Sequence, residues 1–181
     1  MEPIETERLI IRSFVMQDLA AIHPLVFADP QVAWLNGKAA TRAQTRQWLG
    51  EHVRDAGRSF GSFAIVRKED QALVGLVALE PYLADFVRFP DDPHPRFNSI
   101  EVELGYALGP AYWGNGYVTE AGLAMIDYAF SRLRLSRIVN SVRSANIRSI
   151  NVMKRLGFRV VPNAHPRWSS EVLGILDNAR V

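Results

Sequence analysis

Two stretches of this chain carry residues spaced for chemistry. The first is residues 112–117, Tyr-Trp-Gly-Asn-Gly-Tyr, which follow a strand-like segment and precede a helix-like one. Glycine lets a backbone come close to a ligand and adopt conformations that other residues resist. The helix that follows presents unpaired N–H groups and the positive end of its dipole. Strand, glycine turn and helix N-terminus together make a cradle for a phosphate. The turn is not a Walker loop, since no Gly-Lys-Ser/Thr follows, and it lacks the third glycine of a dinucleotide fingerprint. The second stretch holds Glu101 and Glu103, two residues apart in a strand-like segment, so both carboxylates leave one face. A positioned carboxylate is a candidate general base.

The elements that must position these groups can be read from pattern. Residues 4–13 read as a first strand, and 18–27 as a helix with Pro24 as its kink or break. Thr41 and Gln44 form a capping-box signal opening a helix through Trp48, Leu49 and Val53, with Gly57 and Gly61 beyond its end. Segments 62–67 and 73–79 flank a polar turn and predict a hairpin. Residues 85–96 hold three prolines and several charges and predict a long loop or lid. Residues 99–108 read as a strand. From Gly116 a helix is expected, with Val118, Ala121, Gly122, Met125, Ala129 and Phe130 on one buried face. Residues 136–142 read as a strand. Residues 147–156 read as a short helix capped by Asn146 and stopped by Gly157. Two last strands are expected at 158–162 and 172–177. Hairpin-joined and helix-joined strands mix, which predicts an α+β fold around a mixed sheet, with 1–181 as one domain.

Composition narrows the function classes. A chain of 181 residues with 48% hydrophobic and 22% charged residues has the makings of an ordinary globular core. There is no cysteine, which removes disulfides, thiolate metal ligands and a cysteine nucleophile together, and fits a cytoplasmic setting. His23, His52, His94 and His165 share no metal-ligand spacing, so no metal is expected. Neither a signal peptide nor a membrane-spanning run is expected. The net charge of +2 hides an asymmetry. Residues 1–127 carry 17 acidic against 11 basic side chains, whereas 128–170 carry nine basic and no acidic ones. Such a block suits an anionic partner, nucleic acid or a polyphosphate cofactor, or is simply a solvated basic face.

The run 103–121, Glu-Leu-Gly-Tyr-Ala-Leu-Gly-Pro-Ala-Tyr-Trp-Gly-Asn-Gly-Tyr-Val-Thr-Glu-Ala, resembles the acyl-CoA signature of the GNAT superfamily of N-acyltransferases. It is most like the branch of the ribosomal-protein N-terminal alanine and serine acetyltransferases. A second motif of that branch matches at 146–158, Asn-Ile-Arg-Ser-Ile-Asn-Val-Met-Lys-Arg-Leu-Gly-Phe, and Thr6–Arg12 resembles the family's first strand.

The resemblance implies a GNAT fold: a mostly antiparallel central sheet flanked by helices, its central strands splayed for acyl-CoA. It implies transfer of an acetyl group from acetyl-CoA to a primary amine, a protein N-terminus or a small molecule, by direct attack in a ternary complex. Glu103 stands at the family's frequent base, and Ser149 at the serine used in this branch to protonate the leaving thiolate. Backbone near Tyr106 would hold the thioester carbonyl, and Ala107 and Leu108 would pair with the pantetheine amides. Trp113, Gly114, Asn115, Gly116 and Tyr117 would offer N–H groups to the pyrophosphate. Asn146 would bind the pantetheine arm or position Ser149, and Arg155 would bind the cofactor. Trp34, Asn36, Trp48 and residues 85–97 fall where the family builds its acceptor wall, although Trp34 and Trp48 also suit a core.

Homodimers are common in the family, and neither nucleic acid nor membrane is an expected partner. The chain departs from the pattern at Ala111, where the loop usually begins with Gln or Arg, so the downstream basic block is expected to supply the charge. No tyrosine lies between Asn146 and Phe158. Two alternatives follow from these departures and the charge: a CoA-binding regulatory protein without turnover, and a basic nucleic-acid-binding module.

Overall fold

A computed structural model describes residues 1–32, 39–82, 100–165 and 169–179. Among the described residues eight strands, β1 (Ile4–Glu5), β2 (Leu9–Arg12), β3 (Gly61–Arg67), β4 (Leu73–Tyr82), β5 (Glu101–Leu108), β6 (Arg137–Arg143), β7 (Arg159–Pro162) and β8 (Glu171–Asp177), hydrogen-bond in the order β1-β2-β3-β4-β5-β6-β8-β7. Helices among the described residues include α1 (Leu19–Ile22), α2 (Arg42–Arg54), α3 (Tyr117–Asp127) and α4 (Ile147–Arg155). The sheet is mixed and mostly antiparallel, with β5 and β6 parallel. This is the α+β class the sequence predicts. The chain divides into two compact units, Met1–Leu79 with Gly105–Met125, and Glu80–Leu104 with Ile126–Val181.

In the first unit, β1 to β4 form an antiparallel meander. The single strand expected over 4–13 is two, because Thr6 turns the chain between them. Its N–H donates to Leu9 O at 3.0 Å, and its hydroxyl accepts from Leu9 N–H at 3.0 Å. A threonine hydroxyl can close such a turn without glycine. Residues 18–27 are also subdivided. A 3-10 turn, Met16–Asp18, leads into α1, and His23–Phe27 continue as a π turn. Pro24 has no N–H to give the helix ladder, and the turn closes instead with Ala28 N–H on His23 O at 2.8 Å. Helix α2 begins as expected: Thr41 Oγ1 accepts from Gln44 N–H, and Gln44 Oε1 accepts from Thr41 N–H at 2.8 Å. The core gathers Phe14, Leu19, Ile22, Val26, Leu49, Ala64, Val66 and Leu73, with Trp48 and Trp113 packed against it. Trp48 is half-buried against this core, meeting Phe14 edge-on and Phe27 and His52 at tilted angles.

In the second unit, β6, β8 and β7 pair antiparallel and α4 lies on them. Asn146 caps α4, its Oδ1 accepting from Ser149 N–H at 3.1 Å. The helix stops at Gly157, φ +89°, with Phe158 N–H on Met153 O at 3.0 Å and Gly157 N–H on Lys154 O at 3.2 Å. That pair of bonds is the Schellman pattern read from Gly157. Met153, Leu156 and Phe158 are buried, and Gly174 of β8 leaves room for Met153 and Phe158. Trp34, Asn36 and the segment 85–97 lie outside the described residues.

Candidate active site

The glycine loop belongs to the first unit and is built on the end of β5. A 3-10 turn, Pro110–Tyr112, spends Trp113 N–H on Pro110 O at 3.2 Å. The Trp113 indole Nε1 donates to Leu108 O at 2.8 Å, which fixes the ring under the loop. Gly114 and Gly116 both take positive φ, +81° and +79°. An L-residue in that region costs about 1–2 kcal/mol, so the geometry favours glycine here. Among the described residues nothing stands within 4 Å of where a Gly114 Cβ would lie, and the Arg8 guanidinium, at 3.5 Å, approaches the corresponding point on Gly116.

Helix α3 then starts at Tyr117. Glu120 N–H returns to Gly116 O at 3.0 Å, so the N–H groups of the first turn are left over by helix geometry. An open, glycine-turned backbone leading into a helix N-terminus fits a diphosphate. Of the five N–H groups expected to serve it, that of Trp113 is committed to the turn.

Sequence reading missed what ties this loop down. Arg8, in the β1–β2 turn, reaches it from 112 residues away: Nε donates to Glu120 Oε2 at 2.7 Å, Nη1 donates to Asn115 O at 3.0 Å, and the guanidinium lies 4.8 Å from the centre of the Tyr117 ring. Glu120 Oε1 also accepts from Arg8 N–H at 2.8 Å and Thr6 Oγ1 at 2.5 Å. Asn115 Nδ2 donates to Tyr112 O and Trp113 O, both at 3.2 Å. Arg67 lies 5.4 Å from the centre of the Tyr112 ring. In its own unit, then, the loop is flanked by Arg8 and Arg67.

Partial burial raises the Glu120 carboxyl, but the Thr6 hydroxyl, Arg8 N–H and Arg8 guanidinium outweigh it and hold the pKa below the ordinary value. A depressed folded pKa contributes stability above the unfolded pKa and loses it as pH falls through the folded one. Glu120→Gln is therefore expected to melt below the parent at pH 7. The gap should close as pH drops below about 4. The pair is partly exposed, and salt screens it, so the gap should shrink in high salt. Parallel melting curves at all pH values would refute the clamp.

The second unit holds the acid–base candidates. Glu101 is buried and ion-paired with Arg137, whose Nη2 and Nε both donate to it, so it serves the sheet. Glu103 differs. Its Oε1 accepts from Ser141 N–H at 3.2 Å. Burial raises its pKa, the Ser141 bond lowers it, and Glu80 and Glu171 raise it further, leaving it above the ordinary carboxyl value. Ser141 Oγ donates to Glu171 Oε2 at 2.9 Å. Tyr82, at the end of β4, is pushed up to about 12, by burial first, with Ser141 acting the other way and Glu103 and Glu171 adding to the rise.

Beside Glu103, Asn140 Nδ2 donates to Leu104 O at 2.5 Å. The parallel pairing of β5 and β6 is confined to Glu103↔Val139. Ser149 and Asn146 sit together at the start of α4, and Arg155 is exposed in its last turn. Tyr106 and Ala107 are half-buried and Leu108 is buried.

Residues 8–159 match the model of the acetyltransferase (GNAT) domain. The chain belongs to the GNAT acetyltransferase family. It is accordingly an acyl-CoA-dependent N-acetyltransferase. It is 23% identical to the uncharacterized N-acetyltransferase YnaD of Bacillus subtilis, over 96% of each chain. Its fold matches the ribosomal-protein-S5-alanine acetyltransferase of Vibrio fischeri with a TM-score of 0.73 at 22% identity, covering 99% of this chain and 98% of that one. It likewise matches spermidine N-acetyltransferase of Vibrio cholerae, a structure in complex with CoA and spermine, with a TM-score of 0.71 at 17% identity, over 96% and 98% of the two chains. No helix among the described residues is long and apolar enough to cross a membrane.

Proposed function

We infer that the whole chain works as one transferase domain, moving an acetyl group from acetyl-CoA to a primary amine by direct attack in a ternary complex. The acceptor is a protein N-terminal amine or a small-molecule amine, and the setting is cytoplasmic. The observation that carries this reading is Glu103. It is a carboxyl group anchored by Ser141 N–H, with its pKa raised above the ordinary value, chiefly by burial. It takes the proton that the attacking ammonium must lose. Acetyl-CoA supplies the activated acyl group as a thioester. Backbone N–H groups of Gly114, Asn115, Gly116 and Tyr117 hold the diphosphate. Ala107 and Leu108 run along the amide-bearing arm, and the backbone at Tyr106 polarises the carbonyl. Asn146 positions Ser149, whose hydroxyl donates a hydrogen bond to the departing thiolate, and Arg155 adds charge for the cofactor.

Melting temperature measured with and without acetyl-CoA tests the first half of this reading. At 100 times its dissociation constant a ligand adds about 2.7 kcal/mol of stability, which for a chain of this size is a rise of roughly 5–10 °C. No rise at millimolar acetyl-CoA would overturn it. Release of free thiol against a panel of amines and N-terminal peptides tests the second half. Binding without thiol release would identify a regulatory CoA-binding protein instead.

A further inference from the structure

One peptide of the glycine loop is held from behind by a side chain of the β1–β2 turn, within the first unit. Arg8 Nη1 donates to Asn115 O at 3.0 Å, while Nε of the same guanidinium donates to Glu120 Oε2 at 2.7 Å. Glu120 is locked in turn by Thr6 Oγ1 and by Arg8 N–H. A planar guanidinium that donates in two directions has a fixed orientation, so the carbonyl of Asn115 is pinned. In a trans peptide the C=O and the N–H point opposite ways. Pinning Asn115 O on Arg8 therefore aims the N–H of Gly116 away from Arg8. Gly116 is exposed, and its N–H makes no hydrogen bond among the described residues. With Gly114 before it and Gly116 within it, this peptide plane has little preference of its own, so the arginine sets its direction.

We propose that Arg8 is a positioning residue for the acyl donor, holding the Asn115–Gly116 peptide so that the Gly116 N–H faces the diphosphate. The assignment rests on the reading of acetyl-CoA as cosubstrate. Arg8 acts through the peptide and not by contact with the ligand, since it lies on the carbonyl side. Two further effects follow from the same bonds. A peptide whose carbonyl accepts from a cation is polarised, which makes its N–H a stronger donor. Glu120 stands in the first turn of α3, where an unpaired carboxylate would repel a bound anion, and its ion pair with Arg8 cancels that charge. The clamp on Glu120 thus does more than stabilise the fold: it keeps the loop both aimed and electrostatically open to phosphate.

Titration of CoA and of pantetheine, which has the arm but no diphosphate, tests this on the parent, Arg8→Gln and Arg8→Lys. Lysine keeps the charge beside Glu120 but lacks the fork that bridges two acceptors. Both variants are expected to bind CoA about tenfold more weakly and pantetheine within about twofold of the parent. In turnover, KM for acetyl-CoA should rise by the same factor while kcat stays within about twofold. A merely structural role would weaken both ligands alike, and that result overturns the assignment, as does an unchanged CoA constant. Full recovery of CoA affinity in Arg8→Lys would mean that charge alone is needed, which overturns the positioning of the peptide. If the parent itself binds no CoA, the cosubstrate reading falls first, which separates the two failures. Should Arg8→Gln not fold, Arg8→Lys, which retains an ion pair with Glu120, carries the same comparison of ligands.

Discussion

Glu103→Gln is expected to lower kcat/KM for the amine by about 10²–10⁴-fold while leaving acetyl-CoA affinity within a few-fold. The base works only when ionised. Its pKa is raised above the ordinary carboxyl value by burial and by Glu80 and Glu171, against the opposing Ser141 bond. In the parent, activity should therefore fall as pH drops through that raised value. The variant should lose this limb, leaving only the titration of the amine itself.

Stability should move the other way. A carboxyl whose folded pKa is raised contributes its stability below the unfolded pKa and loses it as pH rises through the folded one. Ionised Glu103 is a half-buried charge near Glu80 and Glu171, and the neutral amide removes it. The variant should melt at or above the parent temperature, a trade of stability for activity. An unchanged rate and pH profile would mean that water, not Glu103, takes the proton. A slow variant with a clearly lower melting temperature would mean that Glu103 acts through structure.

The features legible in the sequence are those whose signals are local. Thr41 with Gln44, and Asn146 followed three residues on by Ser149, announce helix starts because the bonds that make them span three residues. Gly157 announces a stop for the same reason. The glycine loop was readable as a turn, and its two positive φ angles explain why glycine stands at both positions. What escaped depends on distance along the chain. Arg8 meets Glu120 across 112 residues, and Asn140 meets Leu104 across 36, so no window of sequence relates them.

The two subdivided elements failed for a different reason. In 4–13 the β-branched residues continue through the turn, and a threonine hydroxyl replaces the glycine or asparagine that would have flagged it. In 18–27 Pro24 signals a kink or break, and here it stands in a π turn that continues the helix. The basic stretch, read as one feature, is divided in use. Arg137 is spent on Glu101, while Arg143, Lys154 and Arg155 are exposed.

Gly75→Ala should be among the most damaging of conservative changes in this chain. Gly75 is buried in β4, and a Cβ placed on it would lie 2.2 Å from Ala107 O and 2.8 Å from Leu108 Cα, with Leu108 Cδ2 at 2.5 Å. A rotamer change can move the last of these, but the first two are backbone. Relief requires β5 to shift at the residues that carry the glycine loop, whose Gly109 N–H is bonded to Val74 O at 3.1 Å and whose Trp113 indole hangs on Leu108 O. Overpacking of this kind costs about 1–3 kcal/mol and occasionally more, a fall of roughly 2–12 °C in melting temperature.

The displaced residues are also those proposed to run along the pantetheine arm, so CoA affinity should fall with stability. Gly50→Ala supplies the opposite sign. Gly50 lies inside α2 with nothing among the described residues within 4 Å of its would-be Cβ, so alanine there should stabilise by about 0.5–1 kcal/mol through helix propensity and leave CoA affinity unchanged. Were Gly75→Ala to melt with the parent and bind CoA as tightly, the close approach of β4 to Ala107 and Leu108 would not be what sets the position of the loop.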